Sequence, residues 1–208
     1  MTDIPIARIK AQTADVYDRQ AKVWHQMRDT SLYEQIWLDR MLAELPQTGA
    51  HVLDLGCGTG RPIAGYLLKR GHHVTGVDVS PTMIALAREN FPQAEWKTGD
   101  MRTNSLTQDY DAVLSWDGFF HLSPQEQRTA LPRLADLVRT GGSMLLTVGP
   151  EEGEVTGTVN DELVYHGSLA QADYIAILSD AGFAMVTVTP EDPQAWGRTI
   201  LFATGKEG

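Results

Sequence analysis

His51-Val-Leu-Asp-Leu-Gly-Cys-Gly-Thr-Gly60, followed by His73-Val-Thr-Gly-Val-Asp-Val-Ser-Pro-Thr-Met-Ile84, decides how the rest of the chain is read. Each block opens on a short apolar run and closes on a turn that leads into a helical pattern. In the first, Gly56, Gly58 and Gly60 remove three Cβ atoms where a strand must bend sharply into a helix. In the second, Ser80-Pro81 is a helix start, an N-cap followed by a first-turn proline, and Met83, Ile84 and Ala87 continue it at helical spacing. Two strand–turn–helix units in succession predict a parallel sheet with helices on both faces.

The alternation extends downstream. Runs at 94–98, 110–115 and 143–148 read as strands; the first stops at Gly99-Asp100 and the second leads to Trp116-Asp117. Ser123-Pro-Gln-Glu126 is a capping box that opens a helix to Arg139, with Gly141-Gly142 as its break. Residues 151–166 carry acids and turn residues and read as a hairpin or flap. Ser168-Leu-Ala-Gln171 is a second capping box, for a helix ending at Gly182, and runs at 184–189 and 199–203 fit an antiparallel pair. Upstream, Tyr17, Ala21, Trp24 and Arg28 share one helical face, and Ser31-Leu-Tyr-Glu34 caps a second helix through Leu45. The expected organisation is one α/β domain: a helical cap over 1–46, a core over 47–150, a flap over 151–167, and a closing helix and strand pair over 168–208.

Composition narrows the partners. The 208 residues hold 17 basic and 27 acidic side chains, a net charge of −10, with the basic residues scattered singly. A nucleic-acid binder shows a basic patch or stripe, so none is expected as a partner here. A single cysteine, Cys57, excludes an internal disulfide and a cysteine-rich zinc site, and the six histidines do not fall into metal-ligand spacings. No segment approaches the ~20 apolar residues of a membrane span, so no membrane partner and a cytoplasmic location are expected.

In open α/β sheets, ligands sit beyond the carboxyl ends of the strands where strand order reverses. Asp54, the three glycines, Asp78, Asp100 and Ser115-Trp116-Asp117 all fall at such ends. Asp78, at the end of the second strand, suits both hydroxyls of a ribose; Val79 and Met83 offer apolar surface to a purine; Asp100 suits an exocyclic amine, with Met101 against the ring. Cys57 lies between two ligand-facing glycines, where its backbone matters more than its thiol. A dinucleotide fingerprint would place a third glycine at 61, where this chain has Arg61. Asp54 would repel a pyrophosphate and suits an ammonium group. The pattern asks for an adenine nucleoside that carries a cation.

These residues resemble the class I S-adenosylmethionine-dependent methyltransferases. The likeness rests on 52–60, 74–84, Gly99-Asp-Met101 and 110–115. It implies a Rossmann-like sheet of seven mostly parallel strands with the last antiparallel, S-adenosylmethionine as cofactor, and a small-molecule acceptor methylated on N, O or S. It also implies that Gly56 and Gly58 line the methionine part, Asp78 holds the ribose, and Asp100 with Met101 frames the adenine; Ser115 and Trp116 complete that side. The segment Tyr17-Asp-Arg-Gln-Ala-Lys-Val-Trp24 is similar to the helix that covers the cofactor in small-molecule members, which gives Tyr17 a cofactor contact and Trp24 a place beside the acceptor. His121, just after Trp116-Asp-Gly-Phe-Phe120, is the expected general base; Phe119, Tyr165 and His166 are the other acceptor-side candidates. Two alternatives stay open: a nicotinamide-dependent oxidoreductase, and a nucleoside-binding regulatory module without turnover.

Overall fold

The computed structural model describes residues 4–103, 106 and 109–208. Two helices come first, α1 (Ile6–Met27) and α2 (Gln35–Ala43). The alternating core follows as β1 (His51–Leu55), α3 (Ile63–Lys69), β2 (His73–Asp78), α4 (Pro81–Asn90), β3 (Glu95–Thr98), β4 (Tyr110–Ser115), α5 (Pro124–Ala135) and β5 (Val138–Val148). A hairpin of β6 (Gly153–Val159) and β7 (Glu162–Ser168) precedes α6 (Gln171–Asp180) and the pair β8 (Phe183–Asp192) and β9 (Arg198–Lys206).

Seven strands form one sheet in the order β3-β2-β1-β4-β5-β9-β8, and β6 and β7 pair separately. The β1, β2, β3, β4 and β5 neighbours are parallel, while β9 runs antiparallel to both β5 and β8. Strand order reverses between β1 and β4, so the crevice opens where their carboxyl ends diverge. Alternation along the strands feeds two cores. Leu53, Leu55, Val113, Met144 and Leu146 pack with Leu131 and Leu134 of α5 and Tyr174 and Leu178 of α6. Val52, Ala112, Leu114 and Leu145 pack on the opposite face with Trp37, Leu38 and Met41 of α2 and Ile63 and Leu67 of α3.

The glycine turn is shaped as much by packing as by any ligand. A Cβ on Gly76 would stand 2.3 Å from the Trp96 ring, and one on Gly60 would stand 2.7 Å from it. Gly60 also has a φ of +74°, a backbone region that side chains disfavour. Gly56 donates its N–H to the Val77 carbonyl at 2.8 Å, which ties the turn to the end of β2.

Some expected boundaries move. Helix α5 stops at Ala135 rather than Arg139, and β5 starts at Val138 with Gly141 and Gly142 inside it. Tyr110 pairs with Val138, the register then shifts before Ala112 pairs with Ser143, and a Cβ on Gly142 would collide with the Asp111 carbonyl at 2.6 Å. Of three expected capping boxes only Ser123–Glu126 forms, with the Glu126 carboxylate accepting the Ser123 N–H at 2.8 Å. Ser31 sits in a turn braced by Asp29, and Glu34 turns inward to pair with Arg28. Ser168 ends β7, bonding the Gly149 carbonyl and the Tyr174 hydroxyl, and α6 starts without a side-chain cap. The link before β9 is also shorter than expected, a turn at Pro193–Ala195 between longer strands. None of the helices among the described residues is long and apolar enough to cross a membrane.

The one formed box gives a direct contrast. Ser123→Ala is expected to cost roughly 1–2 kcal/mol, lowering Tm by about 2–8 °C, whereas Ser31→Ala should change stability by less than about 0.5 kcal/mol. Thermal denaturation of the two variants side by side checks both.

Candidate active site

A cavity of about 990 Å³ lies over the carboxyl ends of β1, β2 and β4. Helix α1 and the β6–β7 hairpin roof it, and polar contacts fix the roof in place. Asp18 accepts from the Ser80 hydroxyl at 2.6 Å and the Thr82 N–H at 3.0 Å, which joins α1 to the start of α4. Glu162 of β7 accepts from Arg19 and Gln20 of α1, both at 2.6 Å, and Thr13 accepts the Tyr165 N–H at 3.0 Å.

Two carboxylates dominate the floor. Asp54 is buried, lines the cavity and has no hydrogen-bond donor among the described residues; burial first and the neighbouring Asp78 second push its carboxyl up to about 7. Asp78 has one backbone donor for each oxygen, Gly58 N–H and Ser80 N–H, both at 2.9 Å. Those bonds oppose its burial without overcoming it, so its pKa also rises. Each carboxylate oxygen has room for a second donor. Arg61 lines the same cavity, and no acid pairs with it among the described residues. Two under-compensated acids and one unpaired guanidinium fit a ligand that presents an ammonium, a carboxylate and vicinal hydroxyls, and they fit a pyrophosphate poorly.

Around this floor the cavity gathers Tyr17, Gly56, Cys57, Gly58, Val79, Met83, Asp100, Met101 and Trp116. Trp24 lies over the turn, with its ring 3.4 Å from where a Gly58 Cβ would stand. Gly56 faces Gly118 so closely that a Cβ would come within 3.2 Å of the Gly118 Cα. Asp100 is engaged by Arg102 at 2.9 and 3.0 Å; burial raises its pKa, but the Arg102 bonds outweigh burial and the net shift is downward. The buried Trp116 indole N–H has no partner among the described residues.

Three expected residues fall outside the cavity. The Ser115 hydroxyl donates to the Leu55 carbonyl at 2.7 Å and so fastens β4 to β1. Phe119 is wholly buried in the core beneath. Tyr165 is buried too, its hydroxyl donating to Glu154 at 2.5 Å, and only its carbonyl touches the chemistry. That carbonyl lies 2.8 Å from Nδ1 of His121 and therefore fixes the proton on Nδ1, so Nε2 accepts from the Tyr17 hydroxyl at 2.9 Å. Burial pushes His121 down to about 4 and raises Tyr17 well above the usual phenol range. The expected base is thus a weak one whose free lone pair is already taken. His166, against Phe120 and His121 in the same cavity, has no hydrogen bond among the described residues, and burial lowers its pKa.

Residues 52–142 match the family model of a methyltransferase domain. The magnesium-protoporphyrin O-methyltransferase of Rhodobacter capsulatus is 33% identical over 118 residues, covering 53% of this chain and 51% of that protein. Over residues 52–142 the chain carries a methyltransferase domain. A trans-aconitate 2-methyltransferase of Delftia acidovorans is 30% identical over 161 residues, covering 72% of this chain and 55% of the relative. The chain spans about half the length of the curated relatives it matches. The likeness in fold is nearly complete. The magnesium protoporphyrin IX methyltransferase of Synechocystis, with bound SAM, superposes with a TM-score of 0.69 at 20% identity, covering 98% of this chain and 99% of that one. A sugar N-methyltransferase from Streptoalloteichus gives a TM-score of 0.70 at 18% identity, covering 93% of this chain and 92% of that one. The methyltransferase domain here therefore has the Rossmann-like sheet of these proteins.

Asp54 provides the test of this electrostatic account. Its folded pKa is raised, so folding favours the protonated acid, and the free protein loses stability as pH rises from about 4 through 7. Asp54→Asn should match the parent near pH 4 and exceed it by a few kcal/mol at pH 8, each pKa unit being worth ~1.4 kcal/mol. Denaturant midpoints across that range decide it; a difference that does not grow with pH overturns the account.

Proposed function

We propose that the protein transfers the methyl group of S-adenosylmethionine to a small-molecule acceptor. The observation that carries this reading is the pair of under-compensated carboxylates at the glycine turn, the buried Asp54 and the half-buried Asp78. When bound, S-adenosylmethionine supplies a methyl carbon already activated by a positive sulfur. The chain's residues then have to bind, orient and exclude water.

Asp54 would hold the ammonium, Arg61 the carboxylate and Asp78 the ribose hydroxyls. Gly56 and Gly58 let the backbone approach closely, and Val79, Met83 and Met101 supply the apolar surface for adenine. Asp100 acts through Arg102 in the free protein, and an exocyclic amine would share its remaining lone pairs. Trp24 and Tyr17 close the site from above. Orientation of this kind is worth roughly 7–11 kcal/mol in favourable cases.

His121 is better read as a positioning residue than as the base. It joins three elements, holding the Tyr17 hydroxyl from α1 while bonding the Tyr165 carbonyl of β7. His166 is the imidazole left free to take a proton from an acceptor that must lose one. The absence of a nucleic-acid partner belongs to the same proposal and rests on the scattered basic residues and the net charge of −10, while the cytoplasmic reading rests on the single cysteine and on the lack of an apolar segment of ~20 residues.

Thermal shift separates the alternatives. S-adenosylhomocysteine at a hundred times its Kd should add ~2.7 kcal/mol, which raises Tm by roughly 5–11 °C, while NAD and NADP leave it unchanged. Asp78→Asn should weaken the nucleoside at least tenfold. Stabilisation by NAD would favour the oxidoreductase, and nucleoside binding without methyl transfer across a broad acceptor panel would favour the regulatory module. A second check concerns His121: His121→Gln should lower turnover without moving the lower limb of the pH–rate profile, whereas loss of that limb would restore it as the base.

A further inference from the structure

Opposite the nucleoside end, the cavity has a second end that the expected site residues leave unexplained. Its most prominent feature is Trp196, whose indole is 56% exposed at the mouth. The ring is held there. Trp196 takes a left-handed backbone, φ +53°, on a turn whose Ala195 is buried and whose Asp192 accepts from Trp37 Nε1 at 2.8 Å and Gln194 N–H at 2.9 Å. A strained backbone maintained by such bracing marks functional positions. One face of Trp196 stacks on Tyr33, with centroids 4.3 Å apart and planes at 11°. Tyr33 is also flanked by the guanidiniums of Arg28 at 5.1 Å and Arg198 at 4.9 Å, so the aromatic face left open belongs to Trp196.

The charges at this end are closed on themselves. Arg28 is paired with buried Glu34, and Arg198 with Asp117 at 3.0 Å. The remaining charged side chains of the rim are acids: Glu152 faces Arg128 at 3.6 Å, and Asp29, Glu151 and Glu191 have no ion-pair partner among the described residues. Among the described residues the cavity-lining cation without an ion-pair partner is Arg61, beside the glycine turn, and none at this end is left for an anionic acceptor. Asp117 itself lines the cavity in a left-handed conformation, φ +55°, fixed through its N–H to the Thr147 hydroxyl at 2.7 Å. Its carboxylate keeps acceptor capacity beyond Arg198 and Tyr33. Arg198 bonds both Asp117 and the Trp196 carbonyl, so one guanidinium spans the distance between them.

The geometry points to an acceptor subsite for a neutral, flat molecule that lies on the open face of Trp196 and turns an O–H or N–H toward Asp117. This rests on the methyltransferase reading and adds the class of acceptor to it. The test uses the whole chain saturated with S-adenosylhomocysteine and four probes, followed by calorimetry: 2-naphthol, 2-naphthoate, decahydro-2-naphthol and 2-methoxynaphthalene. 2-Naphthol should bind at least tenfold more tightly than the anion, the non-planar alcohol or the ether. Trp196→Ala should weaken it at least tenfold with the S-adenosylhomocysteine Kd within twofold of the parent, and Trp196→Phe should restore most of the loss. Preference for 2-naphthoate, equal binding of the non-planar alcohol or the ether, or indifference to Trp196→Ala overturns the subsite while leaving the nucleoside reading intact. Failure of S-adenosylhomocysteine itself to bind overturns both.

Discussion

Two acids that face each other's field without enough donors set the terms for everything around them. Asp54 and Asp78 stand at the ends of neighbouring parallel strands, and among the described residues they receive only backbone N–H groups, and those at Asp78 alone. A folded protein tolerates such a cost where something else offsets it, and strain of this kind concentrates at ligand sites. The glycine turn exists in the same frame. Its first N–H completes the ladder to β2 and its third residue donates to Asp78, so the bend and the acid are one unit. The roof is tied into it as well, because Asp18 bonds the same Ser80 whose N–H supports Asp78.

The geometry of the proposed nucleoside end was legible in the sequence because it is local. Strand, turn and acid lie within a few residues of one another, and period-two alternation places them without knowledge of the rest. The same holds for the Ser123 box, where cap and glutamate are three residues apart. The boxes at Ser31 and Ser168 carried an equal local signal and failed for a tertiary reason. Glu34, itself buried, found the half-buried Arg28, and Ser168 found a tyrosine hydroxyl; each preferred that partner to the helix end. Likewise, α5 gave up its last turn because Val138 pairs with Tyr110 at the start of β4.

The proposed acceptor end was not legible, and its chain separations explain why. Tyr33 and Asp117 meet across 84 positions, and Asp117 and Arg198 across 81. Tyr33 lies within an expected capping box that says nothing of a ligand, Arg198 sits in no motif, and an exposed tryptophan on a polar link looks like ordinary packing until its neighbours are known. The one available signal was Asp117 itself, an acid just past a strand end at the switch in strand order. His121 shows the opposite limit. Its place at the site was readable from its position after β4, but its low basicity comes from burial, and its ring nitrogens are engaged by the Tyr165 carbonyl and the Tyr17 hydroxyl, which arrive from segments 44 and 104 residues away.

The Trp96 ring occupies the space where side chains at both Gly60 and Gly76 would lie. Those three positions are consequently a single packing unit. A lineage or a library that enlarges either glycine must first shrink the indole, and a smaller residue at 96 opens a void behind the turn that only a compensating bulk can refill. Paths of change through this domain therefore run around that trio, which makes it a poor place to begin redesigning specificity and a sound one on which to anchor the rest.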